Sequence, residues 1–192
     1  MVREIIYFSS KARTSGNFSD LMQAGRMDIV CNVIIHAFFI SNAMRDDVKL
    51  HLIFYGQPDP PKHLELQFNE ETPISKKDIA GLIKRVLYKY KEGKKTEVFP
   101  GCFVEKKSLL QVIDELKGGG KIIYILDKKG EDIRKAEIND KAVFLLGDQE
   151  GLPFKELKRL KQEAKLISVG NKTYFSSQVI TIVNNELDRR GS

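Results

Sequence analysis

Three short apolar runs in the last third of the chain each end in a polar or glycine-containing loop. The first run covers residues 121–126 and its loop 127–130. The second run covers 142–146 and its loop 147–151, and the third run covers 165–169 and its loop 170–171. Continuous Val, Ile and Leu runs are typical of parallel strands buried on both faces. Ligands of open α/β sheets bind beyond the carboxyl ends of such strands. The three runs therefore predict one cleft walled by backbone, suited to a ligand held by main-chain groups rather than by a metal.

The pattern along the chain predicts a single α/β domain. With 192 residues and 42% hydrophobic content, the chain can bury one substantial core, and neither a repeat nor a linker divides the sequence. Besides the three runs, we expect strands at 2–9, 47–55 and 63–68 and a strand pair or irregular edge at 98–104. We expect helices at 26–42, 75–92, 107–116, 154–164 and 176–190. Residues 10–25 predict a long loop of the kind that is usually functional or mobile.

Basic residues concentrate in one segment, 76–95. The segment holds eight lysines and arginines against two acidic residues, a local excess that equals the net charge of +6 of the whole chain. Apolar residues there recur with helical spacing, so the basic side chains share the opposite, exposed side. Such a surface suits a polyanion, because each neutralised phosphate releases counterions. The alternative interpretation is a solvated lysine-rich helix face.

The loop at 147–153 follows a predicted buried strand and precedes a helix. It lacks the glycine and lysine pattern of a phosphate-binding loop, and Asp148 and Glu150 would repel a phosphate. A doubly wound enzyme that binds ATP or NAD is therefore disfavoured. S-adenosylmethionine (SAM) carries a sulfonium charge and no phosphate, so backbone amides and carboxylates suit it. The alternative is an ordinary strand-to-helix turn with Pro153 at the first helical position.

The order and spacing of several motifs resemble the SPOUT class of RNA methyltransferases, and most of all the archaeal tRNA pseudouridine N1-methyltransferases, the TrmY family. The resemblance covers essentially the whole chain. The motifs are GRMD at 25–28, AFFIS at 37–41, RDDV at 45–48, LIFYGQPDPP at 52–61, IAGLIK at 79–84, YIL at 124–126, GED at 130–132, FLLGD at 144–148 and ITIV at 180–183, followed by Leu187 and Asp188.

The resemblance implies a SPOUT-type parallel sheet with helices on both faces and a deep C-terminal trefoil knot, a rare exception to the rule that chains do not thread. Residues 1–105 would form an N-terminal part with RNA-binding embellishments, and residues 106–192 the knotted donor-binding part. The family acts as a homodimer with SAM as cofactor. The corresponding donor-binding positions here are Leu126, Leu146, Gly147, Ser168, Val169, Gly170, Val179 and Ile180.

Two segments depart from the family pattern. Residues 170–175 replace a Ser-Pro-Leu-like loop, and Val179 stands where the family typically has a cysteine. Valine can pack against an adenine but can neither donate a hydrogen bond nor act as a nucleophile. A SPOUT-fold RNA-binding protein with impaired catalysis therefore remains an alternative.

Methyl transfer from a sulfonium is an in-line displacement that requires positioning and the removal of one proton. We expect Arg45 with Asp47, and Arg26 with Asp28, to do this: the arginines grip phosphate or a base oxygen, and an aspartate orients or accepts the N1 proton. The alternative at each position is a structural salt bridge. Candidate RNA contacts are Lys84, Arg85 and Lys91 of the basic segment and Gln57 and Asp59 of the proline-rich loop.

These observations predict SAM-dependent methylation of N1 of a pseudouridine in the tRNA T-loop, at position 54. An rRNA pseudouridine is the alternative substrate. We expect a cytoplasmic homodimer that binds tRNA, with no membrane segment and no metal. His36, His51 and His63 do not have the spacing of a metal site and are interpreted as satisfied core histidines. Cys31 and Cys102 are interpreted as buried reduced thiols.

Overall fold

An eight-stranded mixed sheet forms the centre of the protein in a computed structural model, which describes residues 2–69, 72 and 74–191. The strands are β1 (Arg3–Ser9), β2 (Val48–Phe54), β3 (Lys62–Leu66), β4 (Thr96–Phe99), β5 (Cys102–Glu105), β6 (Ile122–Asp132), β7 (Ala142–Gly147) and β8 (Lys165–Ser168). The helices are α1 (Met27–Phe38), α2 (Ile79–Tyr88), α3 (Leu109–Gly118), α4 (Phe154–Glu163) and α5 (Ser176–Arg189). None of the described helices is long and apolar enough to cross a membrane.

The sheet order is β4-β5-β3-β2-β1-β7-β6-β8. Strands β2, β1, β7, β6 and β8 run parallel, whereas β3, β5 and β4 add an antiparallel edge. The expectation of a parallel sheet was therefore wrong for three of the eight strands. Short connections with Pro and Gly join β2 to β3 and β4 to β5, so each of these strands turns back on its neighbour, whereas α2 lies between β3 and β4.

Helices cover both faces of the sheet, as expected. Alternate residues of β1 show the division: Ile5 and Tyr7 pack in the core with α1 and α2, whereas Ile6 and Phe8 pack with α3 and α4. Helix α5 packs against β6 and β7 through Val183 and Leu187. It also lies beside α1, since Asn184 donates to the backbone carbonyls of that helix at 3.5 Å.

Several boundaries differ from the prediction. Helix α1 ends at Phe38, not at residue 42, and its residue His36 is exposed rather than a core histidine. Helix α3 continues to Gly118, two residues beyond the predicted end. Ser108 and Gln111 form a complete capping box, which fixes the start of the helix but not its end. The predicted strand pair at 98–104 is a real hairpin, β4 with β5, which turns at Pro100 and Gly101.

Strand β6 does not stop at Leu126, as the sequence predicted, but runs on to Asp132. Ile167 of β8 is a register partner of both Leu126 and Glu131 of this one strand. The N–H of Ile133 donates to the carbonyl of Ser168 at 2.9 Å. Gly130 lies so close to β8 that a Cβ there would be 2.4 Å from the Ile167 nitrogen. Two parts of β6 thus pair with β8, with a break in register between Leu126 and Glu131.

Candidate active site

Leu126 of β6 and the ends of β7 and β8 lie at the carboxyl edge of the sheet, together with the start of α5. The Ser176 hydroxyl donates to the carbonyl of Gly147 at 2.8 Å, which fixes α5 to the end of β7. The Ser168 hydroxyl accepts from the N–H of Gly170 at 3.1 Å and so shapes the turn after β8. These contacts bring the end of β7, the turn after β8 and the start of α5 to one edge of the sheet, where the sequence predicts the cleft.

The expected donor-binding residues all lie at this edge. Leu146 and Ile180 are buried, whereas Leu126 and Val179 are half-buried and pack against the two cores that flank the edge. Ser168, Val169 and Gly170 form the turn itself. Gly147 is required by close packing, because a Cβ there would be 2.6 Å from the backbone of Gly151. This combination of apolar side chains with the partly accessible main chain at Gly147, Val169 and Gly170 suits an adenine and a sulfonium.

The end of β1 closes another side of the same cleft. Ser10 donates from its N–H and from its hydroxyl to one oxygen of Asp148, at 2.8 and 2.9 Å. Lys11 forms an ion pair with Glu150. Sequence reasoning placed Asp148 in a ligand-binding loop but missed Ser10 as its partner. The one available signal was that Ser10 directly follows the first strand.

Arg26 and Asp28 lie beside this wall. Gly25 and Arg26 both adopt left-handed backbone angles, with φ of 72° and 63°. A Cβ at Gly25 would be 1.7 Å from the carbonyl oxygen of Lys11, so only glycine lets α1 start here. A left-handed arginine is uncommon, and such strain concentrates at functional sites.

The Arg26 side chain donates to both oxygens of Asp28, each at 2.9 Å. The guanidinium is 42% and the carboxylate 29% exposed, so both remain accessible. This hydrogen bonding lowers the pKa of Asp28 below its usual value and keeps it ionised. Burial raises the pKa of Tyr7, and the negative charges of Asp148 and Asp28 raise it further.

Arg45 and Asp47 lie at the opposite, amino edge of the sheet. Arg45 binds Asp188 of α5 through two hydrogen bonds of 2.9 and 2.6 Å rather than Asp47. Asp47 pairs with the buried Arg3 at 2.9 Å, and Arg3 reaches Asp188 at 2.7 Å. Strand β1 spans seven residues, on the order of 20 Å, between the two edges. The structure therefore does not bring Arg45 and Asp47 together with Arg26 and Asp28 within one chain.

The loop at 10–25 and the proline-rich loop interlock. Thr14 donates to the carbonyl of Gly56 at 2.9 Å and accepts from the N–H of Asp59 at 2.8 Å. Gln57 is exposed at the tip, whereas Asp59 is engaged by Lys62 and Lys106. Of the two RNA contacts predicted in the proline-rich loop, only Gln57 is free of a structural ion pair.

The basic segment occupies the outer side of α2 and its continuation. Lys91 is exposed, and Lys84 is half-buried with its ammonium 4.9 Å from the Phe18 ring centroid. Arg85 is exposed and pairs with Asp78 at 3.0 Å. Gly16 presses against the carbonyl of Lys84, where a Cβ would lie at 2.6 Å. The loop at 10–25 therefore contacts the basic helix on one side and the donor cleft on the other.

The remaining histidines form a buried polar row that the sequence did not predict. Nδ1 of His51 lies 2.9 Å from Nε2 of His63, and the outer nitrogens contact Glu4 at 3.0 Å and Glu105 at 2.9 Å. His51, His63 and Glu65 each offer one possible metal-ligand atom, and these three atoms lie within 4.8 Å of one another. The two rings, however, are nearly coplanar and 5.1 Å apart between centroids, which suits a hydrogen bond between facing nitrogens. Both residues are buried and satisfied, as expected for core histidines.

Both cysteines are free and buried. Burial raises the pKa of Cys31 to about 11 and that of Cys102 to about 12, so neither thiol is a reactive thiolate.

Comparison with known proteins identifies the family. The SAM-dependent RNA methyltransferase family matches residues 2–192. Proteins named tRNA (pseudouridine(54)-N(1))-methyltransferase are similar over nearly the whole chain. That of Methanosarcina acetivorans is 38% identical over 98% of this chain and 92% of its own length, and that of Methanococcoides burtonii is 34% identical over 98% and 96%.

The chain belongs to the SAM-dependent RNA methyltransferase family. The resemblance to the SPOUT class is confirmed at the level of the fold. The crystal structure of Archaeoglobus fulgidus Nep1 bound to S-adenosylhomocysteine superimposes with a TM-score of 0.61 at 16% identity and covers all of both chains.

In this methyltransferase the expected donor-binding residues and the Arg26–Asp28 pair lie on one edge of the sheet. The donor supplies an electrophilic methyl group when bound. The residues of the cleft fit it, because Leu126 and Val179 offer apolar contacts and the turn at 168–170 offers main-chain groups. The carboxylates of Asp148 and Glu150 are compatible with a sulfonium and not with a phosphate.

Proposed function

We propose that this methyltransferase transfers a methyl group from SAM to N1 of pseudouridine at position 54 of tRNA. The observation that carries the proposal is the position of the Arg26–Asp28 pair beside the end of β1, where Asp148 joins that strand to the donor cleft. The names of the relatives supply the substrate and the modified atom.

The pair supplies both functions that the reaction requires of the protein. The N1–H of pseudouridine must lose its proton as the N–CH3 bond forms. Asp28 stays ionised and is accessible, so its carboxylate can accept this proton or hold it in a hydrogen bond. The guanidinium of Arg26 can turn toward a carbonyl oxygen of the base and stabilise the negative charge that develops on the ring.

The RNA approaches over the loop at 10–25 and the basic side of α2. The strained start of α1 and the interlocked loops hold this surface rigid relative to Arg26. Exposed basic side chains such as Arg85 and Lys91 attract phosphates without reading sequence. Selection of one nucleotide would then depend on the fit of the flipped base next to Arg26.

We also propose that the chain is a homodimer and that its C-terminal part is knotted. The exposed apolar side chains Phe154, at 88%, and Phe175, at 73%, flank the donor edge and suit a subunit contact. The pairing of two separate parts of β6 with β8, and the close approach of Gly130 to Ile167, support threading of the C-terminal segment. Light scattering of the wild type and a Phe154→Ser/Phe175→Ser variant tests the first proposal. Mechanical unfolding tests the second proposal: a knotted chain, when fully stretched, should remain shorter than an unknotted chain of the same number of residues.

The deciding experiment uses labelled SAM and three RNAs: tRNA with pseudouridine at position 54, the same tRNA with uridine there, and an rRNA fragment containing pseudouridine. We expect label only in the first. Transfer to the rRNA alone would favour the rRNA substrate. Absence of SAM binding by calorimetry would favour an RNA-binding protein without catalysis. Either result would contradict the proposal.

As a tRNA-modifying enzyme, the protein would act in the cytoplasm.

A further inference from the structure

Arg13 is a charged side chain that the fold holds in place but does not pair. It lies in the loop at 10–25, half-buried, and its Nε atom is buried without a hydrogen-bond partner. Seven other arginines bind a carboxylate, namely Arg3, Arg26, Arg45, Arg85, Arg134, Arg159 and Arg190. Arg13 thus differs from the other described arginines, because it has a buried nitrogen and forms no ion pair.

An unpaired buried donor is costly. Leaving one without an acceptor destabilises the folded protein, and more so when the group is charged. Flexibility of the loop does not account for it, because the backbone is fixed on both sides of the residue. The N–H of Arg13 donates to the carbonyl of Ala24 at 3.1 Å, and that of Thr14 to Gln57 at 3.1 Å. Ala12 accepts from the N–H of Gly56 at 3.1 Å.

The position of Arg13 lies between the two parts of the site. Two residues before it, Lys11 pairs with Glu150 at the donor cleft. Three residues after it, Gly16 packs on Lys84 and Tyr88 of the basic helix. A strand of RNA that runs from the basic helix to the cleft must pass this loop. An anion on that path would supply the acceptor that the guanidinium lacks.

We propose that Arg13 binds a backbone phosphate of the RNA next to the methylated nucleotide. The proposal rests on the proposed function, since it assumes an RNA substrate at this site. A phosphate diester presents two oxygens in the geometry that a guanidinium fork matches. Arg13 therefore positions the RNA strand and takes no part in the proton transfer.

The experiment compares Arg13→Ala and Arg13→Lys with wild type in tRNA binding and methylation. We expect Arg13→Ala to weaken tRNA binding and to raise KM for tRNA about tenfold, as for loss of a charge-assisted hydrogen bond. The slope of log affinity against log salt should fall by about one. The kcat and the SAM affinity should stay within about twofold, and Arg13→Lys should recover part of the affinity as a point charge.

Arg189→Ala is the matched control, because Arg189 is exposed at the far end of α5. It should leave tRNA affinity unchanged. Unchanged tRNA affinity and salt slope in Arg13→Ala would overturn the proposal. So would an equal loss of SAM affinity and thermal stability, which would assign Arg13 a structural role. Failure of the wild type to methylate tRNA is a separate result that refutes the proposed function, while salt-dependent binding still reports on Arg13.

Discussion

Asp148 accepts two hydrogen bonds from Ser10 through a single carboxylate oxygen, at 2.8 and 2.9 Å. The two residues are 138 positions apart in the chain. This contact joins the end of the first strand to the loop that follows β7. It therefore connects the proposed RNA-binding part of the site with the proposed donor-binding part.

We expect Ser10 and Asp148 to be energetically coupled. In a double-mutant cycle of Ser10→Ala and Asp148→Asn, the unfolding free energies should show a coupling of about 1–2 kcal/mol, because residues in direct contact are not additive. Asp148→Asn should also weaken SAM binding several-fold. Ser10→Ala combined with Arg134→Ala, which shares no partner with it, should be additive. Additive behaviour of the first pair would show that the contact contributes nothing to stability.

The pair Arg26 and Asp28 should separate chemistry from donor binding. Asp28→Asn and Arg26→Lys should each lower kcat about 100-fold, a typical loss for a group that handles a proton or a developing charge. SAM affinity, measured by calorimetry, should change less than twofold. Arg159→Ala is the control, since it breaks an exposed Arg–Asp pair between α4 and α3. Full activity in both site variants would remove the pair from the mechanism.

Arg45 is expected to stabilise the fold and not the reaction. It joins Asp188 of α5 to the start of the sheet, and Asp188 also binds the buried Arg3. Arg45→Ala should lower the unfolding free energy by about 1–3 kcal/mol, because it removes two charge-assisted hydrogen bonds. The kcat of the folded protein should stay within about twofold. A stable but inactive variant would instead support the role in catalysis that the sequence predicted.

The basic side of α2 should contribute the electrostatic part of RNA binding. Reversing the charge of Lys84 and Arg85 should weaken tRNA binding and reduce its salt dependence, while SAM affinity stays constant. Lys158 and Arg159 are the same dipeptide on α4, on the other face of the sheet, and Arg159 likewise pairs with an aspartate. Reversal of this second pair is the control. Equal effects of the two reversals would show that only net charge matters.

The buried row on β1, β2, β3 and β5 should make the protein sensitive to acid. Burial raises the pKa of Glu4 and Glu105, but hydrogen bonds from His51 and His63 and from lysines outweigh it and bring both values to about 2. Burial lowers the pKa of His63 to about 4. All three groups bind protons more tightly in the unfolded chain, where their values are 4.5 and 6.5, so stability falls as pH falls.

Denaturant unfolding at a series of pH values tests this expectation. The loss should begin below pH 6.5 through His63 and continue from 4.5 toward 2 through the glutamates. Glu105→Gln should have a smaller stability loss between neutral and acid pH than wild type, although it is less stable at neutral pH. His36→Gln is the control, because His36 is exposed. A pH dependence unchanged in Glu105→Gln would contradict the assignment.

The amino-acid sequence by itself determined the family and most of the elements, and it predicted the donor edge. Apolar runs at β6, β7 and β8 and the periodicity of α2 are local signals, and burial of apolar surface makes them reliable. The motif GRMD at 25–28 likewise indicated the Arg26–Asp28 pair, since the two side chains are close in sequence and meet within one turn.

Only the tertiary structure decided which distant groups meet. In the sequence, the pair Arg45 and Asp47 looks equivalent to the pair Arg26 and Asp28. The direction of β1 and β2, however, places the two pairs at opposite edges of the sheet. The continuation of β6, the His51–His63 contact and the unpaired Arg13 also depend on contacts between segments far apart in the chain. Such contacts follow from strand direction and packing, which no local pattern of residues encodes.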